Sequence, residues 1–183
     1  MSNNRLKDRK IAVLVANGFE QVELTRPVQE LKDAGATVHI ISPEEGTVKG
    51  WDETDWGKSF DVDVSLDDAL PTDYDGLVLP GGQMNPDFLR ANDKAVNFTK
   101  SFFNQDKPVA AICHGPWLLV ETGEIDKRKM TSYHSIQTDL KNAGAEWVDE
   151  KVVVDRGLIT SRNPDDLDAF CEKMIQEFEG VHA

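Results

Sequence analysis

Cysteine is scarce in this chain: 183 residues contain two, Cys113 and Cys171, too few for a disulfide scaffold. Positive charge is also short, with 20 Lys and Arg against 33 Asp and Glu and a formal net charge of −13. Nucleic acid and anionic membrane surfaces are bound through basic patches, so neither is expected as a main partner. No stretch approaches the ~18 apolar residues of a membrane span. The opening MSNNRLKDRK has a single Leu and lacks the apolar core of a signal peptide. Dinucleotide and P-loop glycine patterns are absent, and no Cys/His group has zinc spacing, so neither cofactor nor metal is expected. What remains, 39% hydrophobic and 29% charged, suits a globular cytoplasmic domain over residues 10–180 behind a polar, frayed tail at 1–9.

The apolar residues come in short, nearly continuous runs: KIAVLV at 10–15, TVHIIS at 37–42, GLVL at 76–79 and PVAAI at 108–112. Such runs read as strands covered on both faces of a parallel sheet. A helix is expected between the first two, with Thr25 as N-cap, Pro27 in its first turn and Gly35 after its end. FDVDV at 60–64 alternates and predicts a further strand, with loops or a small hairpin around it. Helices are expected over 93–103, after Cys113, and over 135–143. Strands follow at 152–154 and 158–160. After Pro164, Leu167, Phe170, Cys171, Met174, Ile175 and Phe178 form one apolar helical stripe. Strands alternating with helices predict an α/β sandwich around a mostly parallel sheet.

In such sheets ligands bind beyond the carboxyl ends of the strands. There the sequence places Asn17-Gly18-Phe19-Glu20, Pro80-Gly81-Gly82 and Cys113-His114-Gly115. The last is the strongest signal. A nucleophile elbow sets a reactive side chain on a tight strand-to-helix turn between small residues, here Ala111 and Gly115. The following helix dipole is expected to lower the Cys113 pKa. The amides of His114 and of Gly81 or Gly82 are candidate oxyanion donors. His114 is a candidate base, although as a neighbour it folds back onto the thiol with difficulty, and Asp87 is a candidate third group to orient it. Glu20, if buried beside Cys113, would keep a raised pKa and donate a hydrogen bond to the sulfur. Cys171, on the core stripe, and His39, inside a strand, read as structural.

GFEQVEL at 18–24, LVLPGG at 77–82, AICHGPWLL at 111–119, TSYHSIQTDLKNAGAEWVDEKVVVD at 131–155 and LITSRNPDDLDAF at 158–170 together resemble the ThiJ/PfpI superfamily, which includes the Parkinson-disease deglycase, and most closely its PfpI or protease I branch. The resemblance implies a three-layer flavodoxin-like α/β sandwich of the class I glutamine amidotransferase-like type. It implies a homodimer, in some members a hexamer. It implies Cys113 as nucleophile, a protonated Glu20 bonded to it, and His114 as partner. In archaeal proteases of this branch a glutamate from a neighbouring subunit completes the triad, and Asp87 stands at that position, one methylene shorter. Trp117 stands where relatives often have a polar residue such as Gln, and its bulk is expected to narrow the pocket mouth.

The leading expectation is therefore a stress-related, cofactor-free cysteine hydrolase acting on a small carbonyl compound, an amide or a short peptide. The alternative is a non-catalytic oxidative-stress sensor or chaperone whose Cys113 is oxidised. Amidotransferase-like glutamine hydrolysis is disfavoured, since no His-x-Glu pair is present.

Overall fold

The computed structural model describes residues 4–180. Residues 1–3 of the expected tail lie outside the described residues. The rest of that tail is not frayed: Leu6 is fully buried, its N–H donates to the Ala34 carbonyl at 2.9 Å, and Arg5 pairs with Glu179. An apolar side chain that reaches the core outweighs the polarity of its neighbours.

The chain then runs β1 (Lys10–Leu14), β2 (Phe19–Glu20), α1 (Gln21–Asp33), β3 (Thr37–Ser42), β4 (Thr47–Asp52), β5 (Asp55–Asp61), β6 (Val64–Ser65) and β7 (Gly76–Leu79). It continues through α2 (Met84–Arg90), α3 (Asp93–Asn104), β8 (Val109–Ile112), α4 (Pro116–Thr122), β9 (Lys129–Met130) and α5 (Gln137–Asn142). β10 (Glu146–Trp147), β11 (Val152–Asp155), β12 (Leu158–Ser161) and α6 (Leu167–Glu179) complete it. Seven strands form the main sheet in the order β11-β12-β8-β7-β1-β3-β6. All its pairings are parallel except that of β11 with β12.

Strand periodicity makes the layers. Ile11 and Val13 pack on one face with Leu24 and Leu31 of α1 and Phe170, Met174 and Phe178 of α6. Ala12 and Leu14 face the other way, toward Leu89 of α2, Phe98 and Phe102 of α3, Leu118 of α4 and Leu140 of α5. Both faces are covered, which is why the strand sequences are continuously apolar. This is the α/β sandwich the sequence predicts. No helix among the described residues is long and apolar enough to cross a membrane.

Two local expectations fail. Helix α1 starts at Gln21, not after Thr25, and Pro27 lies inside it. Its ring removes the N–H that would bond the Glu23 carbonyl, yet the buried face of Glu23, Leu24, Pro27 and Leu31 keeps the helix in place. The alternating segment at 60–64 is not one strand: Asp61 ends β5 and Val64 starts β6 in a different sheet. β4 and β5 form an antiparallel hairpin that, with β2, makes a separate three-stranded sheet.

Candidate active site

The carboxyl ends of β7 and β8 and the segment after β1 meet at Cys113. The cysteine has φ +63°, a left-handed backbone that disfavours a side chain and is held only where surroundings over-determine it. They do so here, because its N–H donates to the Ser161 carbonyl at 3.1 Å and its carbonyl accepts from the Tyr133 N–H at 2.9 Å. Gly115, two residues on, is required for space: a Cβ there would lie 2.5 Å from the Leu79 carbonyl oxygen. The elbow expected from the sequence is therefore present.

The carboxyl beside the thiol is Glu23, not Glu20. Glu20 sits half-exposed at the N-cap of α1, where its Oε1 accepts the Glu53 N–H at 3.1 Å. Burial pushes its pKa up, the Glu53 N–H pulls it back, and Asp52 and Glu53 push it up again. One helical turn further on, Glu23 is fully buried. Its Oε1 accepts the Gly81 N–H at 3.0 Å, and its Oε2 has no partner of hydrogen-bond geometry among the described residues. Burial, with Glu20 nearby, raises its pKa to about 8, so it holds a proton at neutral pH. The correction follows from the start of α1: with the helix beginning at Gln21, position 23 turns inward and position 20 stays at the rim.

Burial pushes the Cys113 thiol up, and a charged Glu23 would push it further, while the amides of Gly82 and His114 pull it down. The lowered pKa expected from the helix dipole is thus outweighed by desolvation. A protonated Glu23 removes the second push and faces the sulfur with a donor. Of the three candidate oxyanion donors, Gly82 and His114 direct their amides at the sulfur, whereas the Gly81 N–H is committed to Glu23.

His114 does reach the thiol, as the resemblance implies and although the two are chain neighbours: its Nδ1 lies 3.4 Å from Sγ. The ring stacks on Tyr133 at a centroid distance of 4.6 Å. Burial, then His134, lowers its pKa, leaving a neutral imidazole able to accept a proton. Its Nε2 lies 3.2 Å from the Ser135 hydroxyl. The sequence does not single out Ser135, because a serine 21 residues away has no local motif linking it to the elbow.

Asp87 is exposed on α2, and no described hydrogen bond joins it to His114 within the chain. Trp117 does not narrow the mouth: its indole N–H donates to Asp139 at 2.8 Å, the Arg90 guanidinium lies over its ring, and it is not part of the cavity wall. Cys171 is buried in the core stripe of α6, and His39 meets the Tyr74 hydroxyl at 2.9 Å inside the fold. A cavity of about 550 Å³ opens over Cys113, walled by Glu20, Glu23, Trp51, Glu53, His114 and Tyr133 among others.

A mostly parallel sandwich ending in a strained cysteine elbow, with an imidazole at the sulfur and an un-ionised carboxyl beside it, defines a cysteine-elbow protein of the class I glutamine amidotransferase-like fold. The chain belongs to the DJ-1/PfpI family, whose sequence model matches residues 9–177. It is 48% identical over 173 residues to General stress protein 18 of Bacillus subtilis, covering 93% of this chain and 98% of that protein. It is 44% identical over 167 residues to Deglycase PfpI of Pyrococcus furiosus, covering 91% and 98%. Protein/nucleic acid deglycase 2 of Escherichia coli is 48% identical over 170 residues, covering 92% and 96%. Drosophila melanogaster DJ-1beta superposes with a TM-score of 0.84 at 29% identity, covering 94% of this chain and 91% of that one.

Proposed function

We propose that the chain is a cofactor-free cysteine hydrolase that releases small carbonyl-derived groups from amines, the activity named for its deglycase relatives. The observation that carries the reading is the neutral Glu23 carboxyl beside Cys113 at the floor of a cavity sized for a small substrate. The thiol gives its proton to His114 Nδ1, and the sulfur attacks the carbonyl carbon. A C–S bond forms and the carbonyl electron pair moves to oxygen, which the Gly82 and His114 amides stabilise. On an acyl substrate, collapse breaks the C–N bond and the amine leaves with the proton from His114. Water then hydrolyses the thioester and restores the thiol. An aldehyde-type carbonyl enters by the same first step as a hemithioacetal; the un-ionised Glu23 then gives its proton to the amine, which leaves the neighbouring carbon as Glu23 takes back the proton of the hemithioacetal carbon, and the resulting enediol shifts a proton to become a 2-hydroxyacyl thioester that water hydrolyses as above. Ser135, at Nε2, fixes the imidazole so that Nδ1 is free to accept.

Amine release from glyoxal-derived adducts of N-acetyl amino acids tests this, comparing wild type with Cys113→Ala. Activity confined to the wild type supports the reading, and full activity in the variant overturns it. Proteolysis is a narrower version, named for one relative, the putative cysteine protease YraA of Bacillus subtilis; short peptide amides in the same assay separate the two. The assembly in this proposal is a homodimer or a hexamer, with Asp87 of one copy approaching the site of another. Sedimentation, and the activity of Asp87→Asn, decide that part.

A second reading is an oxidation sensor in a stress protein, favoured by the Glu23 hydroxyl facing the sulfur, where it would donate to a sulfinate. Intact-mass analysis under mild peroxide tests it. An unmodified Cys113 under peroxide that oxidises ordinary thiols removes this reading.

A further inference from the structure

Two backbone amides that serve the elbow lie in consecutive peptides, Pro80–Gly81 and Gly81–Gly82. The second of these joins two glycines, and Gly82 has φ +76°. A peptide between two residues without Cβ turns over with little steric hindrance. Its orientation matters, because the C=O and N–H of one trans peptide point in opposite directions. With the Gly81 carbonyl turned away from the elbow, the Gly82 N–H faces the Cys113 sulfur. Turned over, the same peptide would set a carbonyl oxygen where an oxyanion has to form.

Asn85 decides between the two orientations. It is the second residue of α2 and is fully buried. Its Nδ2 donates to the Pro80 carbonyl at 2.9 Å and to the Gly81 carbonyl at 3.0 Å. Its Oδ1 accepts the Ala16 N–H at 2.7 Å, which fixes the oxygen and nitrogen of the amide and anchors it to the end of β1. Holding the Pro80 carbonyl points the Gly81 N–H the other way, onto Glu23 Oε1 at 3.0 Å. Holding the Gly81 carbonyl points the Gly82 N–H at the sulfur in the same manner. We infer that Asn85 is the positioning residue of the oxyanion site, holding the Gly81–Gly82 peptide with its N–H toward Cys113. Without it two buried carbonyls lose their donor, and the peptide between the glycines turns toward other partners. What that N–H stabilises in catalysis rests on the hydrolase reading above; its orientation toward the sulfur does not.

The test compares Asn85→Ala with Leu89→Ala. Leu89 lies one turn further along α2 and is buried, so its truncation loosens the same helix and removes no bond to the Gly81 carbonyl. Asn85→Ala is expected to lower kcat for adduct hydrolysis about 10²-fold with KM little changed, as removal of one oxyanion donor does. At neutral pH, iodoacetamide is expected to label its Cys113 about tenfold more slowly, read by peptide mass mapping, because a thiolate that loses an N–H partner forms less readily. Leu89→Ala is expected to lose thermal stability and to keep both kcat and the labelling rate. Unslowed labelling in Asn85→Ala, or equal losses of kcat and labelling in the two variants, overturns the inference. A measurement on the wild type covers the case in which Asn85→Ala does not fold. By NMR the Asn85 Nδ2 protons, both bonded to carbonyls, are expected to exchange with solvent far more slowly than those of the exposed Asn97; equal exchange overturns the inference. Labelling slowed by Asn85→Ala in a protein whose wild type turns over no adduct ends the hydrolase reading and keeps the role of Asn85. Wild-type turnover with unslowed labelling in the variant does the reverse.

Discussion

Glu23 and Cys113 converge on one glycine: a Cβ placed on Gly81 would lie 2.6 Å from Glu23 Oε1 and 2.7 Å from Cys113 Cβ. The carboxyl and the thiol thus crowd the Gly81 backbone from two sides, and only a residue without a side chain fits there. Burial of that carboxyl, with Glu20 nearby, raises its pKa to about 8.

Replacing Glu23 tests this. In the folded chain its carboxyl titrates at about 8, against an ordinary value of 4.5. Between those values the native state keeps a proton that the unfolded state has lost, so this group lowers stability as pH rises from about 5 to about 8. Glu23→Gln cannot ionise. The difference in melting temperature between variant and wild type is expected to grow in the variant's favour over that window, by an amount equivalent to a few kcal/mol. The variant's kcat/KM for adduct hydrolysis is expected to fall about 10²-fold, since a positioned acid is lost. A pH-independent difference in melting temperature would mean that Glu23 is charged in the native protein.

Ser135→Ala is expected to lower kcat about three- to tenfold with little change in KM. For Nδ1 to take the thiol proton, Nε2 must carry hydrogen and donate to the Ser135 hydroxyl. Losing that acceptor destabilises the imidazolium, so the His114 pKa falls further and the acid limb of the kcat profile moves to lower pH. Ser135→Thr keeps the hydroxyl and is expected to restore the profile. An unmoved acid limb in Ser135→Ala assigns Ser135 no part in the chemistry.

Gly115→Ala is expected to destabilise the fold by about 2–3 kcal/mol. The added methyl meets the Leu79 carbonyl oxygen at 2.5 Å and that of Ile112 at 2.9 Å, both backbone atoms at strand ends that cannot swing aside. Denaturant unfolding measures the loss. A stability within error of wild type would show that the elbow has room to relax.

Cys113→Gly and Cys113→Ala are both expected to abolish turnover, but they differ in stability. At φ +63° alanine keeps the left-handed strain and glycine does not, so Cys113→Gly is expected to be more stable than Cys113→Ala by about 1 kcal/mol. Equal unfolding midpoints would mean that the elbow stores no backbone strain.

The sheet is legible in the sequence because its strands are covered on both faces, so KIAVL, GLVL and VAAI declare themselves by continuous apolarity. The elbow is legible because Cys113, Ala111 and Gly115 are all local to one turn. Glu23 escapes for an opposite reason. Which of two glutamates three residues apart turns inward depends on where α1 starts, and Pro27 draws the expected start too late. Ser135 reaches His114 only through tertiary contact, and no spacing in the sequence encodes it. The β4–β5 hairpin is obscured because its strands are short of apolar residues and largely solvent-facing, with burial alternating only in part.

That hairpin takes no part in the seven-stranded sheet; it is tied to the rest of the molecule through β2, through Val48 in the core and through the Lys49 and Lys58 N–H groups, which donate to Asn17 and Gln21. The cysteine elbow and the ribbon whose Trp51 and Glu53 line its cavity thus belong to separate sheets. Insertions, deletions or a transplanted turn between Asp52 and Asp55 leave the register of the main strands untouched. The lining of the cavity can therefore drift, or be redesigned, by exchanging one surface ribbon while the elbow cysteine stays where it is.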